Sequence, residues 1–245
     1  MYQLGYKEVN LNLGCPAATV TNRHKGAGLL LDGEHLERML DEIFLWYDSL
    51  AEKELLISLK SRLGFYDDSE AEALMKIYAR YPVKELTIHA RVREDFYKNL
   101  PRKEAFKNAV SIYRENGGLA DICYNGSISS GADYENLIHE NYQQCFGSVM
   151  IGRGLLANPA LARKLKGGDD LNTRELREYL DRLYDGYASF IPEERNVIFK
   201  LLEHWAFLHI HFRDCEKHLK AIRKSRSKGE YVAAVNNIFA SCEFI

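Results

Sequence analysis

The 245-residue sequence predicts an α/β protein: a β/α barrel-type domain of parallel strands, followed by an all-helical bundle domain. Three observations carry that prediction. Short apolar, β-branched segments alternate with segments of helical period, which is the pattern of parallel strands joined by crossover helices. Each strand candidate ends in polar or glycine-containing residues, and in a β/α barrel such ends converge on one face. After Asn158-Pro159 the strand signals cease and only helical periodicity remains.

The strand candidates are residues 8–13, 55–60, 85–89, 122–124 and 148–151. Between the first two, Leu36, Met39, Leu40, Ile43, Tyr47 and Leu50 fall on one helical face. The next helix is expected to begin with Ser69 and Glu72 at capping-box spacing and to bury Leu74, Ile77 and Tyr78. A third, around residues 106–113, stops at Gly117-Gly118, a common way to end a helix. In the tail, Leu176, Tyr179, Leu180, Leu183, Tyr184 and Tyr187 form one apolar stripe, and Ile198, Leu201, Leu202, Trp205 and Leu208 form another. Gly167-Gly168-Asp169-Asp170 reads as a linker, so the domains are expected at 1–166 and 171–245.

Composition narrows the function classes. A formal net charge of −2 gives no global attraction to nucleic acid, so any RNA surface has to be a local patch. The densest such patch is residues 213–228, where Arg213, Lys217, Lys220, Arg223, Lys224, Arg226 and Lys228 face only Asp214 and Glu216. Five cysteines without a C-x-x-C pair suit no closed disulfide framework and read as reduced, cytoplasmic thiols. No apolar run reaches the length of a membrane span, and the first residues hold no signal-peptide core.

The chemistry is expected at the strand ends. These carry, in order, Asn12 to Pro16, Lys60-Ser61-Arg62, His89-Ala90-Arg91, Asn125-Gly126 and Gly152-Arg153. Taken singly, each has a bland explanation as a core cysteine, a hydrogen-bonded histidine or a turn glycine. Their recurrence at the same end of consecutive strands points to one shared site. Backbone N–H groups bared by glycine, with Arg153, suit a phosphate, and Lys60 and His89 suit the electron-rich edge of a flavin ring. No G-x-G-x-x-G fingerprint, Walker loop or zinc-ligand spacing is present, so FMN is the expected cofactor, with no metal.

Leu11-Asn-Leu-Gly-Cys-Pro16 with Gly26-Ala-Gly-Leu-Leu30 resembles the signature loop of the tRNA-dihydrouridine synthases. Lys60-Ser-Arg-Leu-Gly64, Ile88-His-Ala-Arg91, Tyr124-Asn-Gly-Ser127, Val149-Met-Ile-Gly-Arg-Gly154 and Asn158-Pro-Ala-Leu161 follow in that family's order. The resemblance implies an NADPH-dependent flavoenzyme that reduces tRNA uridines, with hydride from FMN to C6 and a proton from Cys15 to C5. A free thiol, with a pKa of about 8.5, is mostly protonated at neutral pH and suits that donation. The resemblance further implies Asn12, Arg62, Arg91 and Tyr97 on the substrate side, and Lys60, His89, Asn125, Gly126, Gly152 and Arg153 around the cofactor. For the tail it implies tRNA binding, with Lys217, Lys220, Arg223, Lys224 and Arg226 meeting phosphates. Asp95 and Phe96 depart from the family's usual Gln-Gly pair. The family's first strands, with their Ala-Pro-Met and glutamine contacts to flavin, have no counterpart in Met1 to Lys7. The barrel is therefore expected to be N-terminally incomplete, with about five of eight strands, weak hold on flavin and association through open sheet edges. Two other readings share parts of the pattern: an FMN-barrel oxidoreductase of a free small molecule, and a catalytically inactive tRNA-binding remnant.

Overall fold

A computed structural model of the chain describes residues 4–50, 55–96, 98–139 and 142–245. It has two compact units, Met1–Ser127 with Glu135–Ile151, and Ile128–Tyr134 with Gly152–Ile245.

The first unit is built on one sheet of five strands: β1 (Glu8–Asn12), β2 (Leu56–Gly64), β3 (Glu85–Val92), β4 (Asp121–Asn125) and β5 (Ser148–Met150). Every pairing is parallel, and each strand lies beside the next in sequence. That singly wound order is the one a β/α barrel has. Helices α1 (Ala18–Thr21), α2 (Gly33–Asp48), α3 (Ala71–Tyr78), α4 (Lys103–Glu115) and α5 (Gly131–His139) stand between strands. Side chains alternate across a strand, so the sheet has two chemically different faces. One meets the helices: Ser61 hydrogen-bonds the Tyr78 hydroxyl of α3 at 2.9 Å, and Tyr124 meets Phe106 of α4 edge-on at 4.9 Å. Leu59, Leu63, Leu86, Ile88 and Ile122 share this face and are buried. The other face is polar.

Two expectations shift. Strands β2 and β3 run on to Gly64 and Val92, so Lys60 to Arg62 and His89 to Arg91 stand within strands rather than beyond them. The chain stays extended because Arg62 and Arg91 find carbonyl partners while buried (described below). The capping box before α3 uses Asp67 and Glu70, not Ser69 and Glu72, and helix α3 accordingly buries Leu74, Met75 and Tyr78 and leaves Ile77 half-buried. On α2, Trp46 is 56% exposed.

The second unit holds α6 (Arg153–Ala157), α7 (Leu161–Leu165), α8 (Thr173–Ala188), α9 (Glu194–Leu208), α10 (Glu216–Lys224) and α11 (Lys228–Ser241). Both predicted stripes contribute to its core, in which Leu176, Leu180 and Tyr184 pack with Ile198, Leu201, Trp205, Tyr231 and Ile238. Trp205 is 2% exposed and donates its Nε1–H to the Tyr231 hydroxyl at 3.2 Å. The expected linker at 167–170 lies inside this unit, and the division falls at Gly152. The reason is local: Gly168 N–H bonds the Arg163 carbonyl and Gly167 N–H the Lys164 carbonyl, with Gly167 at φ +83°. This is a Schellman cap on α7, and a left-handed C′ residue is where glycine is least costly. Arg163 then pairs with Glu175 of α8, so the stretch is a tight helix–helix connection. The same cap closes α4 at Gly117 and Gly118, as the sequence predicts. Among the described residues no helix is long and apolar enough to cross a membrane.

Candidate active site

Parallel register lines side chains up in rows across the polar face of the sheet. One row is Asn12, Lys60, Thr87, Cys123 and Ser148, and the next toward the strand ends is Arg62, His89, Asn125 and Met150. Neither row contains a carboxylate. The acidic groups stand at the other end, where Glu8, Glu85 and Asp121 begin their strands. The sheet is therefore polarised along its strands, with cations and neutral hydrogen-bonding groups toward the C-terminal ends.

Cys15 lies just past β1 and is half-buried. Its carbonyl accepts the Ala27 N–H at 3.0 Å, and the Gly14 N–H turns back onto Asn12 Oδ1 at 3.1 Å. Gly26 sits against it at φ +55°, where an added Cβ would stand 2.9 Å from the Cys15 Cβ. The Gly-Ala-Gly segment thus forms the floor of the cysteine loop. The thiol and the Asn12 amide nitrogen have no hydrogen-bond partner among the described residues.

Arg62 fastens this loop from below. It is 1% exposed, donating Nε–H to the Gly14 carbonyl at 2.8 Å and Nη1–H to the Val92 carbonyl at 2.9 Å. Expected on the substrate side, it is instead enclosed and joins the end of β1 to the end of β3. Lys60, beside Asn12, is half-buried; burial pushes its pKa below the usual lysine value, and the Arg62 charge adds to that push. Arg91 is likewise buried, donating to the Asn99 carbonyl, to Ser127 Oγ at 2.9 Å and toward His89 Nε2 at 3.2 Å. A guanidinium has no acceptor, so His89 Nε2 must receive and the neutral ring carries its proton on Nδ1. Asn125 donates to the Met150 carbonyl at 2.8 Å, and Gly126 lies against the Tyr124 hydroxyl, where a Cβ would come within 2.3 Å.

The fold brings Asn12, Cys15, Lys60, Arg62, His89, Arg91, Asn125 and Gly126 to one end of one sheet. Gly152 and Arg153 belong to the second unit, both exposed, with Gly152 preceding α6. Tyr97 lies outside the described residues. On α10, Lys217, Lys220, Arg223 and Lys224 are exposed within about 120° of one helical face, and Arg226 follows, exposed. None of the five makes an ion pair among the described residues.

The sequence matches the family model described as dihydrouridine synthase over residues 1–242. The chain belongs to the dihydrouridine synthase family. It is 26% identical over 193 residues to a probable tRNA-dihydrouridine synthase of Rickettsia bellii, covering 77% of this chain and 55% of the relative. It is 32% identical over 170 residues to a tRNA-dihydrouridine(16) synthase of Neisseria meningitidis, covering 67% of this chain and 46% of the relative. A similar relative in Staphylococcus epidermidis, also named a probable tRNA-dihydrouridine synthase, is 29% identical over 64% of this chain and 45% of its own length. The chain spans about half the length of the curated relatives it matches.

The strand-end site also uses residues that the motifs do not single out. Asp95 is 2% exposed and accepts from the Val92 N–H, Asn99 and both Nε and Nη2 of Arg102. Burial acts to raise its pKa, but the Arg102 and Asn99 side chains and the Val92 N–H outweigh it and leave it below the usual carboxylate value. Asp95 thereby organises the loop after β3. Thr87 and Cys123 complete the Lys60 row. A period-two reading back from His89 and Asn125 finds both; nothing local marks Asp95 as buried.

Proposed function

We propose that this chain reduces uridines in tRNA to 5,6-dihydrouridine with FMN as cofactor and NADPH as electron source. The observation that carries the reading is the sharing of one strand end by the Cys15 loop and the Lys60–His89 rows. The donor set fits a flavin: an acceptor-rich, electron-accepting ring is favoured by rows that hold Lys60, His89 and Asn125 and no carboxylate. When bound, FMN supplies the hydride for C6 of the uracil.

The protein's part is binding, orientation and one proton. Lys60 would hold the electron-rich edge of the ring, from a half-buried place where burial and the Arg62 charge lower its pKa. His89, whose ring is oriented by Arg91 at Nε2, would face the flavin ring from a defined direction. Asn12 presents its amide to a uracil carbonyl, and Cys15 gives its Sγ–H proton to C5. Asn125 and Gly126 of the first unit are proposed for the ribityl phosphate end, and Arg62 and Arg91 for holding the loops in place. The exposed face of α10, followed by Arg226, gives tRNA phosphates a place to bind. The unstacking that this reaction demands is that of a base taken out of a folded RNA. The name of the Neisseria relative refers to position 16, and we take uridine 16 as the first target to examine.

The test is incubation of the chain with excess FMN, NADPH and an unmodified tRNA transcript, followed by mass spectrometry of the digested RNA. Dihydrouridine in tRNA, with free uridine left untouched, is the expected result. Equal reduction of free uridine would move the chain to the small-molecule oxidoreductases. Binding of tRNA without any flavin would make it a remnant.

A further inference from the structure

We infer that Tyr66 is a stacking platform for an unpaired base of the RNA substrate, an inference that rests on the tRNA reading above. Tyr66 follows Phe65 at the C-terminal end of β2, the same strand end that carries the site, and its side chain is 63% exposed. A single exposed aromatic residue is ordinary. What distinguishes this one is the rigidity of the turn that presents it.

The Glu70 carboxylate accepts three consecutive backbone N–H groups, from Phe65 at 2.8 Å and from Tyr66 and Asp67 at 2.9 Å. Beneath Tyr66, the buried Phe65 ring meets it at 4.6 Å between centroids, with an interplanar angle of 68°. The Arg93 guanidinium then stands 5.0 Å from the Phe65 centroid and 4.8 Å from that of Phe96. Arg93 N–H bonds the Gly64 carbonyl at 3.0 Å and Glu94 N–H the Phe65 carbonyl at 3.1 Å, so the loop after β3 is fastened to the turn after β2. Phe96 takes φ +46°, a left-handed conformation that a bulky residue adopts only where its surroundings impose it. The Arg93 charge is itself paired with Glu94, so what this rim offers is an exposed aromatic face on a preorganised turn, and every unpaired base has a face to stack on one.

The experiment measures equilibrium binding of the full chain to an unmodified tRNA transcript across a salt series. Tyr66→Ala is expected to bind about tenfold more weakly, with the same dependence on salt, because a stacking contact releases no counterions. Tyr66→Trp is expected to restore affinity, while Tyr66→Leu should behave as the alanine variant. Binding by Tyr66→Ala within twofold of the parent, or a tryptophan variant as weak as alanine, would overturn the inference. The two readings separate cleanly. A parent that forms no dihydrouridine yet shows the Tyr66 pattern sinks the proposed reaction alone, whereas normal dihydrouridine formation with Tyr66-independent binding sinks the platform alone.

Discussion

Cys15 sits in a loop whose backbone is bonded to Ala27 and backed by Gly26, leaving its thiol without a partner among the described residues. Under the proposed chemistry its proton is needed only when uracil is reduced. Cys15→Ala is therefore expected to leave NADPH-driven flavin reduction at the parent rate and to abolish dihydrouridine; stopped-flow absorbance and RNA mass spectrometry read the two halves separately. A variant slow in flavin reduction would remove Cys15 from this role. Gly26→Ala acts on the same loop from beneath. The left-handed backbone costs an alanine about 1–2 kcal/mol, and the new methyl would meet Cys15 Cβ at 2.9 Å. We expect a lower melting temperature together with slower uridine reduction, and an unchanged melting temperature would show that the loop yields.

Among the elements, the connection from α7 to α8 has a pH signature. The Lys164 ammonium, then the Asn158 amide and the Leu171 N–H, hold the Asp170 carboxyl at about 2, against an ordinary 3.8. A depressed folded-state pKa gives stability that is complete above the ordinary value and is lost as pH falls toward about 2. Asp170 is exposed to solvent, so the contribution is below about 1 kcal/mol. Asp170→Asn should flatten the acid limb of the unfolding curve between about pH 4 and 2 and leave neutral stability slightly reduced; an unaltered acid limb would mean that Lys164 is not held there in solution. On α10 the expectation concerns salt. Replacing Lys220, Arg223 and Lys224 by alanine should weaken tRNA binding and reduce its log–log salt slope by up to about 0.9 for each phosphate that is no longer neutralised, with flavin reduction untouched. These elements differ in how readable they were. The stripes of α8 and α9 and the glycine stop after α4 are local patterns and were legible. Strands β2 and β3 outran their apolar signal because Arg62 and Arg91 are buried on partners contributed by distant segments, Gly14, Val92, Asn99 and Ser127. Gly167-Gly168 read as a linker because a helix cap and a flexible joint share the same residues. Cys15, Lys60 and His89 could be found at strand ends from sequence; the enclosure of Arg62 and the anchoring by Asp95 required the register.

For the whole molecule, charge and architecture act at different ranges. The net charge is near zero, yet β1, β3 and β4 begin with carboxylates, the cations Lys60, Arg62 and Arg91 stand toward the other end of β2 and β3, and α10 presents an unbalanced basic face. Under the proposed function, association with RNA should thus depend on orientation rather than on bulk attraction. The two units also differ in where their indoles lie. The chain has two tryptophans, Trp46 in the first unit and Trp205 in the second. Trp46 is already 56% exposed, so unfolding changes its surroundings little, whereas Trp205 passes from a dry core, 2% exposed, into water. Intrinsic fluorescence is consequently a reporter built into one half of the protein: its red shift in denaturant follows the helical unit, while far-ultraviolet circular dichroism follows both. Two units with separate cores are expected to give non-coincident transitions by these probes, and removing the Trp46 signal by Trp46→Phe should leave the fluorescence midpoint where it was. Coincident midpoints would mean that the halves melt as one.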